Sequence, residues 1–209
     1  MPSPPDRIAA PDRYDVRKVV PAEATELAGT LARAFYDDPL VSWVVPSSSR
    51  RLAVVGRGFD LYLRRVWLRH EETYTVGDLA GGCIWEPPGT WKLGAREQLA
   101  LLPAMLRIYG RVFPRLASVL NTVERGHPTQ PHYYLAFIGV APESQGHGMG
   151  SILMHPVLRR CDAEEVPAYL EASAPRNRDL YKRHGFEVTE EINPGRGGPP
   201  IWRMWRDPR

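Results

Sequence analysis

Three glycines that follow a strongly apolar segment indicate the clearest chemistry in this sequence. The apolar segment covers residues 133–140, and Gly146, Gly148 and Gly150 lie shortly after it at a spacing of two. Because glycine has no Cβ atom, consecutive backbone N–H groups can converge there on an oxyanion, and the helix that follows adds the positive end of its dipole. The pattern predicts a binding site for a pyrophosphate group.

Two other interpretations of this loop stay open from its residues alone. A dinucleotide-binding fingerprint requires a glycine where Ser151 stands, and its glycines come directly after the strand, whereas residues 141–145 intervene here. Glu171 would then bind the ribose, but the rest of the chain is too short for the strand–helix units of that fold. A glycine-rich turn without a ligand is the other interpretation, because one short glycine motif is weak evidence.

A second segment that could do chemistry lies further along the chain. Asn177 and Tyr181 are four residues apart, so they share one face of the short helix predicted over residues 176–184. A phenol keeps its proton at neutral pH and can donate it to a leaving group. By themselves the residues leave other roles open, since Asn177 could cap the helix and Tyr181 could be a half-buried core aromatic.

Together the two segments resemble the acetyl-CoA signature of the GNAT superfamily of N-acetyltransferases. The two halves of the signature occur in the right order on matching elements, and the resemblance covers most of the chain, most strongly from residue 131 onward. It implies an acyltransferase that uses acetyl-CoA as its co-substrate and needs no metal. The matching residues are Val140-x-Pro142 and Gln145-x-x-Gly148-x-Gly150 in the first half, and residues 169–177 and 181–186 in the second.

The resemblance also implies roles for individual residues. Tyr181 would be the general acid that protonates the departing thiolate. Backbone groups of residues 138–140 would bind the pantetheine arm and polarise the thioester, and the loop would hold the pyrophosphate. His147 stands where family members often carry Lys or Arg. The residues implied to bind the cofactor are Ile138, Gly139, Val140, Gln145, Gly146, His147, Gly148, Gly150, Ser151 and Asn177.

The general base is less well defined by the resemblance. Some relatives use a carboxylate on the strand before the glycine loop, but residues 133–140 contain none. Glu171 on the next predicted strand is the candidate, and a structural ion pair with an arginine is its alternative role. Glu86 and Glu124 are further choices, and an amine with a lowered pKa would need no base at all.

The expected reaction is transfer of the acetyl group to a primary amine of a small molecule. Neither motif contains a cysteine, which favours direct attack in a ternary complex over an acyl-enzyme. Residues 34–39 and 166–177 are similar to the puromycin N-acetyltransferases, which implies puromycin or a related aminonucleoside as acceptor and a role in antibiotic resistance or detoxification. A protein lysine or N-terminal acetyltransferase and a non-catalytic acyl-CoA-binding module are the alternatives.

The composition indicates one folded domain that could position these residues. The chain has 209 residues, of which 43% are hydrophobic and 24% charged, and this excludes an intrinsically disordered chain. We expect a disordered leader over residues 1–12 and a single α/β (α+β) domain over 13–209, with a helical insertion at 92–126 that forms an apolar wall of the acceptor pocket. The GNAT resemblance adds a mixed, mostly antiparallel sheet of about six to seven strands with flanking helices, splayed between the fourth and fifth strands.

Hydrophobic periodicity and turn residues predict the individual elements of this domain. A helical pattern also extends over residues 92–125, where Pro103 and Pro114 are expected to break it. The predicted strands are residues 14–20, 73–76, 81–86, 133–140, 168–172, 186–192 and 201–205. The other predicted helices are residues 22–36, 50–70, 148–165 and 176–184.

Charge and hydropathy restrict the partners of the chain. The formal net charge is +3, and the arginines at 50, 57 and 64 would form a basic stripe on one helix, which is typical of a solvated face, so no nucleic-acid partner is expected. The longest apolar run, residues 99–106, is too short to span a bilayer. We expect a cytoplasmic monomer or homodimer in which Cys83 and Cys161 are buried. His127 and His132 are expected to be surface or capping residues that lie outside the site.

Overall fold

A seven-stranded sheet organises the computed structural model, which describes residues 15–195 and 197–209. The predicted leader at residues 1–12 lies outside the described residues. The strand order is β1-β2-β3-β4-β5-β7-β6, and every neighbouring pair is antiparallel except β4 and β5. The strands are β1 (Val16–Lys18), β2 (Thr73–Val76), β3 (Gly81–Glu86), β4 (Tyr133–Val140), β5 (Ala168–Ala172), β6 (Glu187–Ile192) and β7 (Ile201–Arg206). The mixed, mostly antiparallel sheet confirms the predicted fold class.

Helices cover both faces of this sheet. A short π-helical segment, Leu63–Trp67, and a 3₁₀ turn, Leu68–His70, extend the third helix to the end of its predicted span. The helices are α1 (Ala24–Ala34), α2 (Pro39–Val44), α3 (Ser48–Tyr62), α4 (Ala95–Tyr109), α5 (Phe113–Arg125), α6 (Met149–Ala163) and α7 (Pro175–Arg183).

Helix α2 is not among the predicted helices, since no element is predicted over residues 37–49. The Asp38 carboxylate accepts hydrogen bonds from the backbone N–H groups of Leu40 and Val41, at 2.9 and 3.1 Å. Pro39 follows in the first turn, where its missing N–H costs no hydrogen bond. The side chain of Asp38 and the fixed φ of Pro39 therefore start this short helix.

The predicted breaks in the helical segment before β4 are wrong in position. Helix α4 continues through Pro103, which lies on the exposed face, where the carbonyl that it leaves without a donor can be solvated. The helix ends instead at Gly110, which has a positive φ of 50°. Pro114 lies in the first turn of α5, a position that tolerates proline.

The sheet separates two hydrophobic layers. Successive residues of β3 point to opposite faces: Ile84 packs in the layer with α1 and α3, whereas Cys83 and Trp85 pack in the layer with α6 and α7. All three side chains are completely buried. Cys83 and Cys161 are buried free thiols, as predicted.

Strands β4 and β5 separate along their length, which confirms the predicted splay. Their parallel register runs only from Tyr133 opposite Ala168 to Leu135 opposite Leu170. Beyond this point β4 stays paired with β3 as far as Val140, after a bulge next to Ile84. The side of β4 that faces β5 is thus open over residues 136–140, and these residues are partly exposed.

Candidate active site

Two cavities meet where β4 and β5 separate. The first, of about 430 Å³, is lined mainly by apolar and aromatic side chains from the helices α2 to α5 and by three glutamates. The second, of about 470 Å³, is lined by the glycine loop and by α7. The residues that line both cavities are Phe35, Asp38, Ile138, Asn177 and Tyr181.

The glycine loop forms an open cradle at the start of α6. Gly146 and Gly148 have positive φ values of 83° and 78°, and no atom of the described chain lies within 4 Å of the place where their Cβ would be. The N–H groups in the first turn of α6 have no acceptor within that helix, and its dipole favours an anion there. An open cradle of this kind can accept a phosphate group.

The side chains of the loop differ in what they contact. Gln145 lines the second cavity and donates a hydrogen bond from Nε2 to the carbonyl of Val140 at 3.0 Å, which fixes the loop to the end of β4. Ser151 also lines it, and its hydroxyl pairs with Nε2 of His184 at 2.9 Å. His147 is exposed and lies outside the cavity lining, so its part in cofactor binding stays a prediction.

Two arginines of α7 line the second cavity and were missed in the sequence. Arg176 and Arg183 are seven residues apart and therefore on the same side of the helix. They bring full positive charges to the cavity. This spacing, next to Asn177 in the second signature segment, was the available signal.

Tyr181 and Asn177 reach the junction of the cavities from one face of α7, as their spacing predicts. Tyr181 is only 6% exposed, and burial raises the pKa of its hydroxyl well above the ordinary value, so the phenol keeps its proton. Asn177 is the third residue of α7, after the N-cap Ala174, so the helix-cap interpretation is wrong.

Asp38 also lies at the junction of the two cavities, where it links two elements of the fold. In addition to capping α2, it accepts a hydrogen bond through Oδ2 from the Ser173 hydroxyl at 2.5 Å. This contact joins the start of α2 to the segment between β5 and α7. The contact therefore keeps α2, which lines the first cavity, close to the start of α7, which carries Tyr181.

Glu171 is a buried carboxyl in the wall of the first cavity. Oε2 accepts a hydrogen bond from the Tyr134 hydroxyl at 2.7 Å, and burial raises the pKa of the carboxyl to about 7. Among the residues that the structure describes, no arginine lies within 4 Å of it, so the structural ion pair with an arginine is not formed. Arg203, directly opposite on β7, pairs with Glu190 instead.

The other two candidate bases differ sharply from each other. Glu86 is buried, and its Oε1 accepts a hydrogen bond from Nε1 of Trp67 at 2.8 Å; burial raises its pKa to about 7. Glu124 is partly exposed and forms an ion pair with Lys92 at 2.7 Å. Of these two residues, only Glu86 resembles Glu171 in being buried and in having a raised pKa.

The expectation that His127 and His132 lie at the surface is wrong. Nδ1 of His132 lies 2.6 Å from the carbonyl of Gln130 and so carries the proton, and its Nε2 therefore accepts from Nε2 of His127 at 3.0 Å. This leaves Nδ1 of His127 as an acceptor, 3.8 Å from Oε1 of Glu171. Burial lowers the pKa of His127 to about 3, so its ring is neutral and stacks on Trp91.

The described residues contain neither a metal-ligand cluster nor a helix of membrane-spanning character. No group of three or more His, Cys, Asp or Glu side chains is placed to hold a metal ion in residues 15–195 and 197–209. Within the same ranges, none of the helices has the length and apolar character needed to cross a membrane.

Comparisons with known sequences agree with the geometry. Residues 99–186 match the model of the acetyltransferase (GNAT) family. An uncharacterized N-acetyltransferase of Schizosaccharomyces pombe is 28% identical over 205 residues, which cover 92% of this chain and 83% of that protein.

Solved structures share the fold. The histone acetyltransferase HPA2 and related acetyltransferase from Corynebacterium glutamicum superposes with a TM-score of 0.73, at 23% identity over 94% of this chain and 97% of that one. A polyamine N-acetyltransferase of Drosophila melanogaster that forms N-acetylagmatine gives 0.60, at 14% identity over 93% and 99%. The PaiA N-acetyltransferase of Thermoplasma acidophilum, in complex with coenzyme A, gives 0.57, at 11% identity over 93% and 98%.

The family model over residues 99–186 and the curated relative thus show that this chain is similar to the GNAT acetyltransferases, and both support an acyltransferase enzyme.

Proposed function

We propose that this chain transfers an acetyl group from acetyl-CoA to a primary amine of a small molecule, directly in a ternary complex. The observation that carries the proposal is the meeting of two cavities at Tyr181 and Asn177, one with a phosphate cradle and one with buried carboxylates. Such a junction allows the two substrates to touch without a covalent enzyme intermediate.

The second cavity supplies the contacts for the co-substrate. Bound acetyl-CoA provides the thioester carbonyl that is transferred. The open side of β4 at residues 138–140 offers backbone groups to the pantetheine arm, and Asn177 adds an amide at the junction. The loop amides hold the pyrophosphate, and Arg176 and Arg183 are placed for further phosphate oxygens.

Glu171 accepts a proton from the amine, and Tyr181 donates a proton to the leaving thiolate. A carboxylate whose pKa is about 7 can accept the proton of an ammonium group near neutral pH, directly or through water. Tyr181 keeps its proton until a thiolate departs, and it then donates the proton to sulfur. His127 packs its neutral ring beside Glu171, with Nδ1 3.8 Å from Oε1.

The first cavity supports a small amine with an apolar or aromatic body. Helices α4 and α5 wall it with side chains such as Leu101, Met105 and Val119, an apolar lining that suits the body of a small amine. The polyamine N-acetyltransferase among the structural relatives acts on a small amine. Puromycin or a related aminonucleoside is our specific proposal, since it rests on the similarity of residues 34–39 and 166–177, and it would give the enzyme a role in resistance or detoxification.

A thiol-release assay with acetyl-CoA and a panel of amines that includes puromycin tests the function. We expect turnover with at least one small amine, and we expect Tyr181→Phe to lower kcat by about 100-fold or more while acetyl-CoA binding stays the same. Tyr133→Phe is the matched control, because the Tyr133 hydroxyl bonds Glu164 away from both cavities. If no amine releases CoA, or if both variants lose activity equally, the proposal fails.

A further inference from the structure

Glu86 is a second buried carboxyl in the first cavity, and the proposed function does not use it. The residue is 5% exposed, and its only hydrogen bond in the described structure joins Oε1 to Trp67. Its Oε2 is buried without a partner, and no described Lys, Arg or His lies within 4 Å. A buried carboxylate without a counter-charge is unfavourable, so its position in a cavity wall indicates a partner that arrives with a ligand.

Glu86 and Glu171 point to the same face of the sheet. Glu86 lies directly opposite Tyr134 on β4, and Tyr134 lies opposite Tyr169 on β5, so these three side chains share a face. Glu171 is two residues beyond Tyr169 and therefore also projects to that face. Both carboxyls accordingly line the one cavity.

The two carboxyls lie at different depths from the junction with the second cavity. Ile138 is the residue of β4 that lines both cavities. Glu86 pairs with Tyr134, which is four residues before Ile138. Glu171 follows Leu170, the partner of Leu135, and is therefore level with the residue two positions before Ile138. At a rise of about 3.3 Å per residue, Glu171 lies about 7 Å along the strand from the level of Ile138, whereas Glu86 lies about 13 Å from it. Glu171 is near the transfer point, and Glu86 is deeper in the cavity.

The wall around the two carboxyls is mainly apolar. Trp67, Val66 and Phe137 line it, the indole N–H of Trp67 is already bonded to Glu86, and the Tyr134 hydroxyl is already bonded to Glu171. A ligand that reaches both carboxyls must therefore cross an apolar stretch. This arrangement favours a chain of methylene groups or a flat ring between two polar ends.

We propose that the acceptor is a bifunctional amine, whose reacting amine lies at Glu171 and whose second cationic group, an ammonium or guanidinium, binds Glu86 across an apolar spacer. The inference rests on the proposed acetyl transfer to a small amine, and it chooses a dicationic acceptor over an aminonucleoside such as puromycin, which carries one cationic amine. The second cation donates to the free Oε2, and the carboxylate neutralises its charge out of water, where a charge-assisted hydrogen bond is strong. Amines without a second cation leave Glu86 unpaired.

Matched pairs of amines test the inference. Calorimetry on the CoA-bound protein compares α,ω-diaminoalkanes, from diaminopropane to diaminodecane, with monoaminoalkanes of equal length. We expect the best diamine to bind about tenfold to 100-fold more tightly than its monoamine, and Glu86→Gln to bring this ratio close to one. Glu124→Gln, which removes the exposed carboxylate at the same cavity, should keep the ratio.

The outcomes separate this inference from the proposed function. Three outcomes would each overturn the role of Glu86. Diamines and monoamines could bind the protein equally tightly, or Glu86→Gln could lower the affinity for both by the same factor. The third outcome is that Glu124→Gln, and not Glu86→Gln, removes the difference in affinity. Calorimetry needs no turnover, so it reports on Glu86 even if no amine is acetylated. Diamine binding at Glu86 without any CoA release would overturn the acetyltransfer proposal alone.

Discussion

Burial turns Glu171 from an ordinary carboxylate into a group that titrates near neutral pH. The carboxyl has lost its contact with water, and the hydrogen bond from the Tyr134 hydroxyl does not compensate for that loss, so the pKa of Glu171 rises to about 7. An acid whose pKa is raised stays protonated at low pH and becomes a base only above its folded-state pKa. Its proposed role therefore has a definite pH dependence.

For Glu171 we predict that kcat/KM for an amine acceptor rises with pH through a limb near pH 7. Glu171→Gln should lower kcat/KM by about 100-fold or more and remove this limb, and only the increase from deprotonation of the free amine should remain at higher pH. Steady-state rates across the pH range measure both effects. Glu124→Gln should retain the limb, and a limb that persists in Glu171→Gln would assign the base elsewhere.

At the residue scale, the sequence identified the parts of the site that lie within linked motifs. Tyr181 and Asn177 could be predicted, because a spacing of four fixes a shared helix face whatever the rest of the fold does. His127 could not, since its burial depends on Trp91, Tyr134 and Glu171, which come from separate elements. Its interaction with Glu171 exists only in the folded chain.

At the scale of elements, the site depends on how closely α1 lies against the splayed end of β4. A Cβ at Gly139 would lie 2.9 Å from the Cβ of Ala34 and within 3.2 Å of Phe35 and Leu31. Only glycine allows this approach. The contact supports the open side of β4 that we propose for the pantetheine arm.

Gly139→Ala should consequently destabilise the protein and weaken the cofactor site. We expect a loss of about 1–3 kcal/mol in the free energy of unfolding, because α1 must move away from β4, and a higher KM for acetyl-CoA. Gly56→Ala in α3 is the matched control, since its Cβ would lie at an ordinary 3.7 Å from the Cβ of Ala32 in α1. Urea unfolding and acetyl-CoA titration measure both effects, and equal behaviour of the two variants would contradict the explanation.

The strands could be predicted more closely than the helices. Short runs of strand-forming residues bounded by turns predicted the ends of β2, β3, β4 and β5 correctly, because most side chains of these strands are buried on both faces. Helix α2 is only six residues long, too short to show a helical period, and depends on the cap at Asp38. Pro103 is tolerated because of where it lies on α4, which no local pattern records.

For the whole molecule, two buried carboxyls impose a cost on folding that depends on pH. In the unfolded chain Glu86 and Glu171 have pKa values near 4.5, and in the folded chain near 7. Between these values the folded state binds more protons than the unfolded state, so this contribution to stability falls as pH rises and is fully lost above about pH 7. His127 acts in the opposite direction, because its lowered pKa makes the unfolded state bind more protons in acid.

Removing one charge should therefore stabilise the protein only at the pH where the charge exists. We predict that Glu86→Gln raises the free energy of unfolding by up to about 3 kcal/mol at about pH 8 and changes it little at about pH 5, since one pKa unit corresponds to about 1.4 kcal/mol. Denaturant unfolding at both pH values measures the difference, with Glu124→Gln as the exposed control. A variant that is destabilised at both pH values would mean that Glu86 serves the fold through Trp67. A gain confined to high pH, together with loss of diamine binding, would mean that the molecule retains an unfavourable buried charge because its substrate neutralises it.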